Sequence, residues 1–158
     1  YYNHLNTGRP DPDSHSFNRY SSNYLDMSNE PLYPFGYGLS YTNFSYGNLQ
    51  LSSDVLSRNG ELTVSVTVTN DGDFDGYEIV QMYLHDIYAE ISRPVKELKG
   101  FERIFLKKGE SREVKFVITG ANLRFYNSGL QYVYEPGEFD VMVGANSRDV
   151  QTERFRAD

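Results

Sequence analysis

The chain has 158 residues, 22 of them acidic and 15 basic, for a formal net charge of −7, and it contains no cysteine. The acidic balance disfavours nucleic-acid binding, which needs a basic face against phosphate. The missing cysteines exclude disulfides, thiolate metal sites and a cysteine nucleophile, and no apolar run approaches the ~18 residues of a membrane-spanning helix.

Residues 1–30 follow neither a 3.6- nor a 2-residue period. Asn, Ser, Asp, Pro and Arg dominate, and Arg9-Pro10-Asp11-Pro12-Asp13 is turn-rich. Tyr20, Tyr24 and Leu25 are the anchors in its second half. A leader of this composition is expected to order only against a packing partner. The chain opens on Tyr1-Tyr2-Asn3, as a piece of something longer would.

Residues 31–42 read PLYPFGYGLSYT. Pro31 and Pro34 each fix φ and remove an amide donor, so no helix runs through them, while Gly36 and Gly38 permit positive φ or close backbone approach. Tyr33, Phe35, Tyr37, Leu39 and Tyr41 stand between and after them. A free linker is polar and flexible; this one is stiff and aromatic, and is expected to lie along a surface. Eight of the 14 tyrosines fall within residues 1–46, a density suited to packing on protein or on sugar rings.

From residue 43 the pattern has period 2. Leu62, Val64, Val66 and Val68 alternate with Thr63, Ser65, Thr67 and Thr69, which predicts a half-buried antiparallel strand. Val114, Phe116 and Ile118 repeat the pattern, as do Phe139, Val141 and Val143. Gly76–Leu84 is apolar on both faces and reads as a central strand; 44–51, 99–106, 130–134 and 152–156 complete the set. Asn59-Gly60, Asn70-Asp71-Gly72, Lys108-Gly109, Ser128-Gly129 and Glu135-Pro136-Gly137 supply turn signals, and Gly120–Leu123 suggests one helical turn. The expected fold is all-β: an antiparallel β-sandwich of immunoglobulin or fibronectin type III kind, with seven or eight strands, preceded by an irregular extended leader. The expected division is 1–42, leader and connector, and 43–158, a sandwich that folds alone.

Candidate chemistry is sparse. Asp71, Asp73, Asp75 and Gly76 match positions 1, 3, 5 and 6 of a calcium loop, but position 12 is Met82 where a bidentate Glu belongs. The stretch reads as an acidic hairpin loop, with weak adventitious calcium binding as the alternative. His4, His15 and His85 stand in no metal-binding spacing; His85-Asp86 reads as a satisfied pair at a strand edge, with orientation of a proton or a metal as the alternative. All five lysines lie between Lys96 and Lys115, interleaved with Glu97, Glu102, Glu110 and Glu113, as on a solvated strand face. No pair of acids is marked out for glycoside hydrolysis, and Asn43-Phe44-Ser45 is a lone glycosylation tripeptide. No catalytic, cofactor-binding or metal-binding residue is assigned.

Several strings together carry a resemblance: YYNHLNTGRP (1–10), RYSSNYLD (19–26), PLYPFGYGLSYTNF (31–44), VTVTNDGDFDGYEIVQMYL (66–84), SRPVKELKGFERIFLKKGES (92–111) and YEPGEFDVMVGANS (134–147). In this order and spacing the chain resembles the C-terminal end of family 3 glycoside hydrolases, nearest to bacterial periplasmic β-glucosidases. The resemblance implies that residues 1–10 end an α/β sandwich, 11–42 form a connector and 43–158 form a fibronectin type III-like domain. It implies a parent enzyme that hydrolyses terminal non-reducing β-glucosyl residues with retention, in the periplasm or secreted. The catalytic carboxylates would lie upstream of Tyr1, so this chain alone is expected to be inactive and to brace the catalytic domains as its partners. No cofactor is implied, and a homo-oligomer is compatible with the family. A carbohydrate-binding module is a competing expectation, which would use Tyr77, Tyr83, Tyr88, Phe125 and Tyr126 as a platform. A dimerisation or adhesive β-sandwich is another.

Overall fold

A computed structural model describes residues 30–158. Seven strands of eight or more residues build a two-layer sandwich: β1 (Phe44–Leu51), β3 (Glu61–Asn70), β4 (Gly76–Asp86), β5 (Glu97–Leu106), β6 (Ser111–Thr119), β9 (Gly137–Gly144) and β10 (Val150–Ala157). Short pieces complete the order: β2 (Val55–Leu56), one helical turn α1 (Gly120–Leu123), β7 (Phe125–Tyr126) and β8 (Tyr132–Val133). One sheet runs β1-β3-β6; the other runs β2-β10-β9-β4-β5. All neighbours in the two layers are antiparallel except β2, which joins β10 in parallel through two residues.

The alternation in the sequence fixes which faces meet. Leu62, Val64, Val66 and Val68 of β3, with Val114, Phe116 and Ile118 of β6, face Val80, Met82, Leu84, Ile104, Leu106, Phe139, Val141 and Val143 of the other layer. Each large aliphatic side chain fully buried this way contributes about 1.5–3 kcal/mol. In β1 the apolar phase changes, from Phe44 and Tyr46 to Leu49 and Leu51, all packed on the core. A bulge between Gly47 and Gln50 absorbs the extra residue, with Asn48 at φ 54°.

Three expectations change. Leu130–Tyr134 does not enter the sandwich; only Tyr132–Val133 pairs, with Phe125–Tyr126, in a separate two-stranded ribbon. Glu135-Pro136-Gly137 makes no turn and runs into β9. The Asn127–Leu130 turn does form, and Leu130 closes it at a φ of 57°. The central strand β4 is buried on both faces only from Val80 to Leu84; at Gly76–Ile79, Tyr77 and Ile79 face solvent. There β4 pairs with β5 alone, because β9 joins it only from Gln81.

Candidate functional site

The outer face of β4 at Gln81 and Tyr83 should be wet in an isolated two-layer sandwich, yet both residues are buried. The connector covers them. Pro34 to Tyr37 form a β-turn, Tyr37 N donating to Pro34 O at 3.0 Å, with Gly36 at φ 79° in the position that favours glycine. Gln81 Nε2 donates to Gly36 O at 3.0 Å and to Ala145 O at 2.6 Å, and Tyr83 Oη donates to Gln81 Oε1 at 2.5 Å. The Phe35 ring meets Tyr83 edge-on, 6.4 Å between centroids. Ser147 N donates to Phe35 O at 2.9 Å, and the Arg148 guanidinium donates to Pro31 O. Lys96 Nζ donates to Ser147 O at 2.6 Å; burial lowers the pKa of this ammonium, and Glu30 opposes the shift.

The connector's end is fixed by Asn70, which is fully buried. Its Oδ1 accepts from Thr42 Oγ1 at 2.7 Å and Gly72 N at 3.2 Å, and its Nδ2 donates to Phe74 O at 2.8 Å and Leu106 O at 3.1 Å. The glycines of the acidic loop serve this contact. A Cβ on Gly72 would lie 2.2 Å from Thr42 Oγ1, and one on Gly76 would lie 2.7 Å from Thr42 Cγ2. The sequence expected the stiff segment to lie along a surface; for the backbone of residues 34–37 and the side chain of Thr42 that surface is the sandwich itself.

Four of the connector's large side chains point the other way. Leu32 is 82 % exposed, Tyr33 66 %, Leu39 89 % and Tyr41 98 %. Leu32, Tyr33, Leu39 and Tyr41 thus form an exposed apolar face, the kind of surface at which proteins make contacts.

In the acidic loop, Asp73 Oδ1 accepts from Lys108 Nζ at 2.7 Å and Asp75 Oδ1 from Lys108 N at 2.8 Å. Among the described residues no group of three or more His, Asp or Glu is placed to hold a metal. Asp86 does not pair with His85. It holds Arg93 Nη1 at 2.7 Å, with both side chains buried, while Arg93 Nη2 reaches Glu97 at 3.0 Å and its guanidinium lies 4.8 Å from the Phe125 centroid. This node gives the SRPVKELKG string a structural reason, which spacing alone did not disclose. Lys99 and Lys115 pair with the interleaved Glu97 and Glu113, and Lys108 with Asp73 of the acidic loop. His4, His15, Tyr20, Tyr24 and Leu25 lie outside the described residues.

The aromatic platform is not assembled. Tyr83 and Phe125 are buried, and Tyr88 stands exposed on a loop. Tyr77 has Arg103 over its ring at 3.6 Å and tilts 58° to Phe105; Tyr126 and Tyr132 tilt 41°. A cleft of about 560 Å³ beside Arg58, Glu61, Arg124 and Tyr134 holds a single carboxylate, so it offers no acid pair for glycoside hydrolysis. Among the described residues, the carboxylate whose pKa is raised is Glu78, through desolvation, opposed by a hydrogen bond from Tyr46 Oη at 2.6 Å. The same burial, with Glu78 adjacent, drives the Tyr46 phenol far above its ordinary range. Glu78 joins two strands of opposite layers and lines neither that cleft nor the one of about 370 Å³ beside Leu49 and Arg154, so its shift belongs to packing.

The strand order and the two facing layers define a fibronectin type III-like β-sandwich, and the family model described as a fibronectin type III-like domain matches residues 78–147. Over 98 % of its length the chain is 51 % identical to the periplasmic β-glucosidase of Salmonella typhimurium, covering 20 % of that protein. It is 45 % identical to a putative β-xylosidase of Formosa agariphila over 87 % of the chain and 18 % of that protein. The crystal structure of a β-glucosidase from Listeria innocua in complex with glucose superposes with a TM-score of 0.88 at 46 % identity, over 99 % of this chain and 22 % of that one. The chain therefore carries the fibronectin type III-like domain and connector that resemble the C-terminal part of β-glucosidases. It spans about a fifth of the length of these relatives.

Proposed function

We propose that this chain is the C-terminal segment of a retaining β-glucosidase of glycoside hydrolase family 3, and that it braces the catalytic domains while contributing no catalytic group. In this reading residues 43–158 are the domain and residues 1–42 lead to it from the catalytic body. The observation that carries it is the two-sided connector: Gly36, Phe35 and Thr42 are bonded to the sandwich, while Leu32, Tyr33, Leu39 and Tyr41 are left outward. The extent of similarity to β-glucosidases, four to five times longer than this chain, supports the same reading. The parent hydrolyses terminal β-D-glucosyl residues and acts in the periplasm or after secretion. The likeness to a putative β-xylosidase indicates that this segment does not set the sugar.

The mass of the native polypeptide is the first test. A mass several-fold above 18.2 kDa, with aryl β-glucosidase activity, is expected; a native 18.2 kDa species would sink the reading. Purified residues 1–158 are expected to show no turnover of aryl β-glucosides. Replacing Tyr33, Leu39 and Tyr41 by Ser in the parent is expected to lower its thermal midpoint by several degrees, because rings that are covered each contribute about 1.5–3 kcal/mol. An unchanged midpoint would count against bracing.

A further inference from the structure

The outward face of β4 and β5 carries an apolar patch that the connector does not cover. Tyr77 pairs with Phe105, Ile79 with Arg103 and Gln81 with Phe101 across the two strands, so these side chains share one face. Tyr77 is 53 % exposed, Ile79 39 %, Phe101 68 % and Phe105 39 %. Arg103 lies over the Tyr77 ring and forms no ion pair among the described residues. Tyrosine, phenylalanine and an unpaired arginine at the centre of a patch are the composition of a protein-binding hot spot. Gln81, the register neighbour of Phe101, is the residue that holds Gly36. The patch therefore continues directly into the connector.

We infer that this β4–β5 face is a second contact on the same catalytic body that the connector touches. The inference rests on the bracing role proposed above. Area decides between occupants. At ~200 Å² for a fully exposed large side chain, the four apolar residues offer about 400 Å², half of the ~800 Å² per partner of a stable interface. Alone, the face is too small to hold a second copy of the chain. Joined to Leu32, Tyr33, Leu39 and Tyr41 it offers about 1,000 Å², which clears that threshold. The occupant is then a body reached by the connector and this face together, and it presents a carboxylate or carbonyl oxygens toward Arg103.

The test is hydroxyl-radical footprinting of the full-length native polypeptide, read by mass spectrometry. Tyr88 and Tyr126, 80 % and 62 % exposed, are the open references, and Tyr83 is the closed one. Tyr77, Phe101 and Phe105 are expected to oxidise about five-fold more slowly than their exposure here implies, together with Tyr33 and Tyr41, as for any core-of-interface residue. Phe101→Asp is expected to reopen Tyr77 and Phe105 and to leave Tyr83 closed. Protected connector rings with an open β4–β5 face would overturn this inference and leave the bracing role standing. If both regions oxidise freely, both readings fail. Protection that disappears on dilution to a monomer would assign the face to a second copy, and would equally overturn the inference.

Discussion

Gln81 clasps Gly36: one carboxamide nitrogen donates to Gly36 O at 3.0 Å and to Ala145 O at 2.6 Å, tying the connector and the β9–β10 loop to the central strand at a single point. Buried amides that bridge three segments are costly to unpair, because each lost partner leaves a desolvated group behind. The clasp explains why Gln81, a polar residue in the middle of an apolar strand, is only 4 % exposed.

Gly36→Ala is expected to open the connector without unfolding the sandwich. The new methyl would sit 2.0 Å from Gln81 Oε1 at a φ of 79°, so the clasp breaks at a cost of about 1–3 kcal/mol. Hydrogen exchange at Tyr37 N and Ser147 N should accelerate ~10–100-fold, while Val66 and Val141 in the core keep their rates. Equal acceleration at all four amides would show that the connector is part of the sandwich's cooperative unit.

Asn70→Ala should cost about 2–4 kcal/mol, since it strands Thr42 Oγ1 and the carbonyls of Phe74 and Leu106, which it now satisfies. Asn70→Asp should cost at least as much, because it loses both donors and buries a charge. Urea denaturation of the three proteins settles the order. A loss below ~0.5 kcal/mol for Asn70→Ala, the level of an ordinary surface change, would remove Asn70 from the account of the seam.

The sandwich was legible because its information is local. The Val64-Val66-Val68 alternation fixes a face, and β1, β3 and β6 appeared within two or three residues of their observed bounds. The seam was half legible. The prolines and glycines of residues 31–42 announced a stiff segment needing a surface, but a segment presents both backbone and side chains, and periodicity does not say which of them touches what. Gln81 gave one missed signal: an amide inside an apolar run demands a buried partner. The Arg93–Asp86 pair was hidden for a different reason. Asp86 ends β4 and Arg93 lies in the following loop, so their meeting depends on the loop's return path, which no residue pattern encodes. The neighbour in sequence, His85, faces away from Asp86, because successive strand residues alternate sides.

Arg93→Met should destabilise the domain by about 3–5 kcal/mol, because the Asp86 carboxylate stays buried without its counter-charge. Arg93→Met combined with Asp86→Leu should recover most of that loss, since an apolar pair of similar volume often matches a buried ion pair. The double-mutant cycle measures the coupling directly. Two single losses that simply add would show that the ion pair contributes nothing of its own, and that Arg93 acts through Leu123 O, Glu97 and the Phe125 ring.

The Tyr46–Glu78 bond makes a prediction about pH. Desolvation raises the Glu78 pKa in the folded chain, against the lowering effect of its hydrogen bonds. The folded state then binds this proton more readily than the unfolded state. Its stabilising contribution is complete below the unfolded carboxyl value and is lost as pH rises through the folded one. Above the folded value the carboxylate is ionised in a half-buried place between the layers, held by the Tyr46 hydroxyl. Glu78→Gln keeps an oxygen to accept from Tyr46 and removes the charge. It should therefore raise the thermal midpoint relative to the parent sequence at pH 7, and the gain should shrink toward zero near pH 4. Midpoints measured at half-unit intervals from pH 4 to 8 give the difference curve. A gain that grows as pH falls would mean that the hydrogen bonds to the ionised form outweigh its desolvation, reversing the assigned direction.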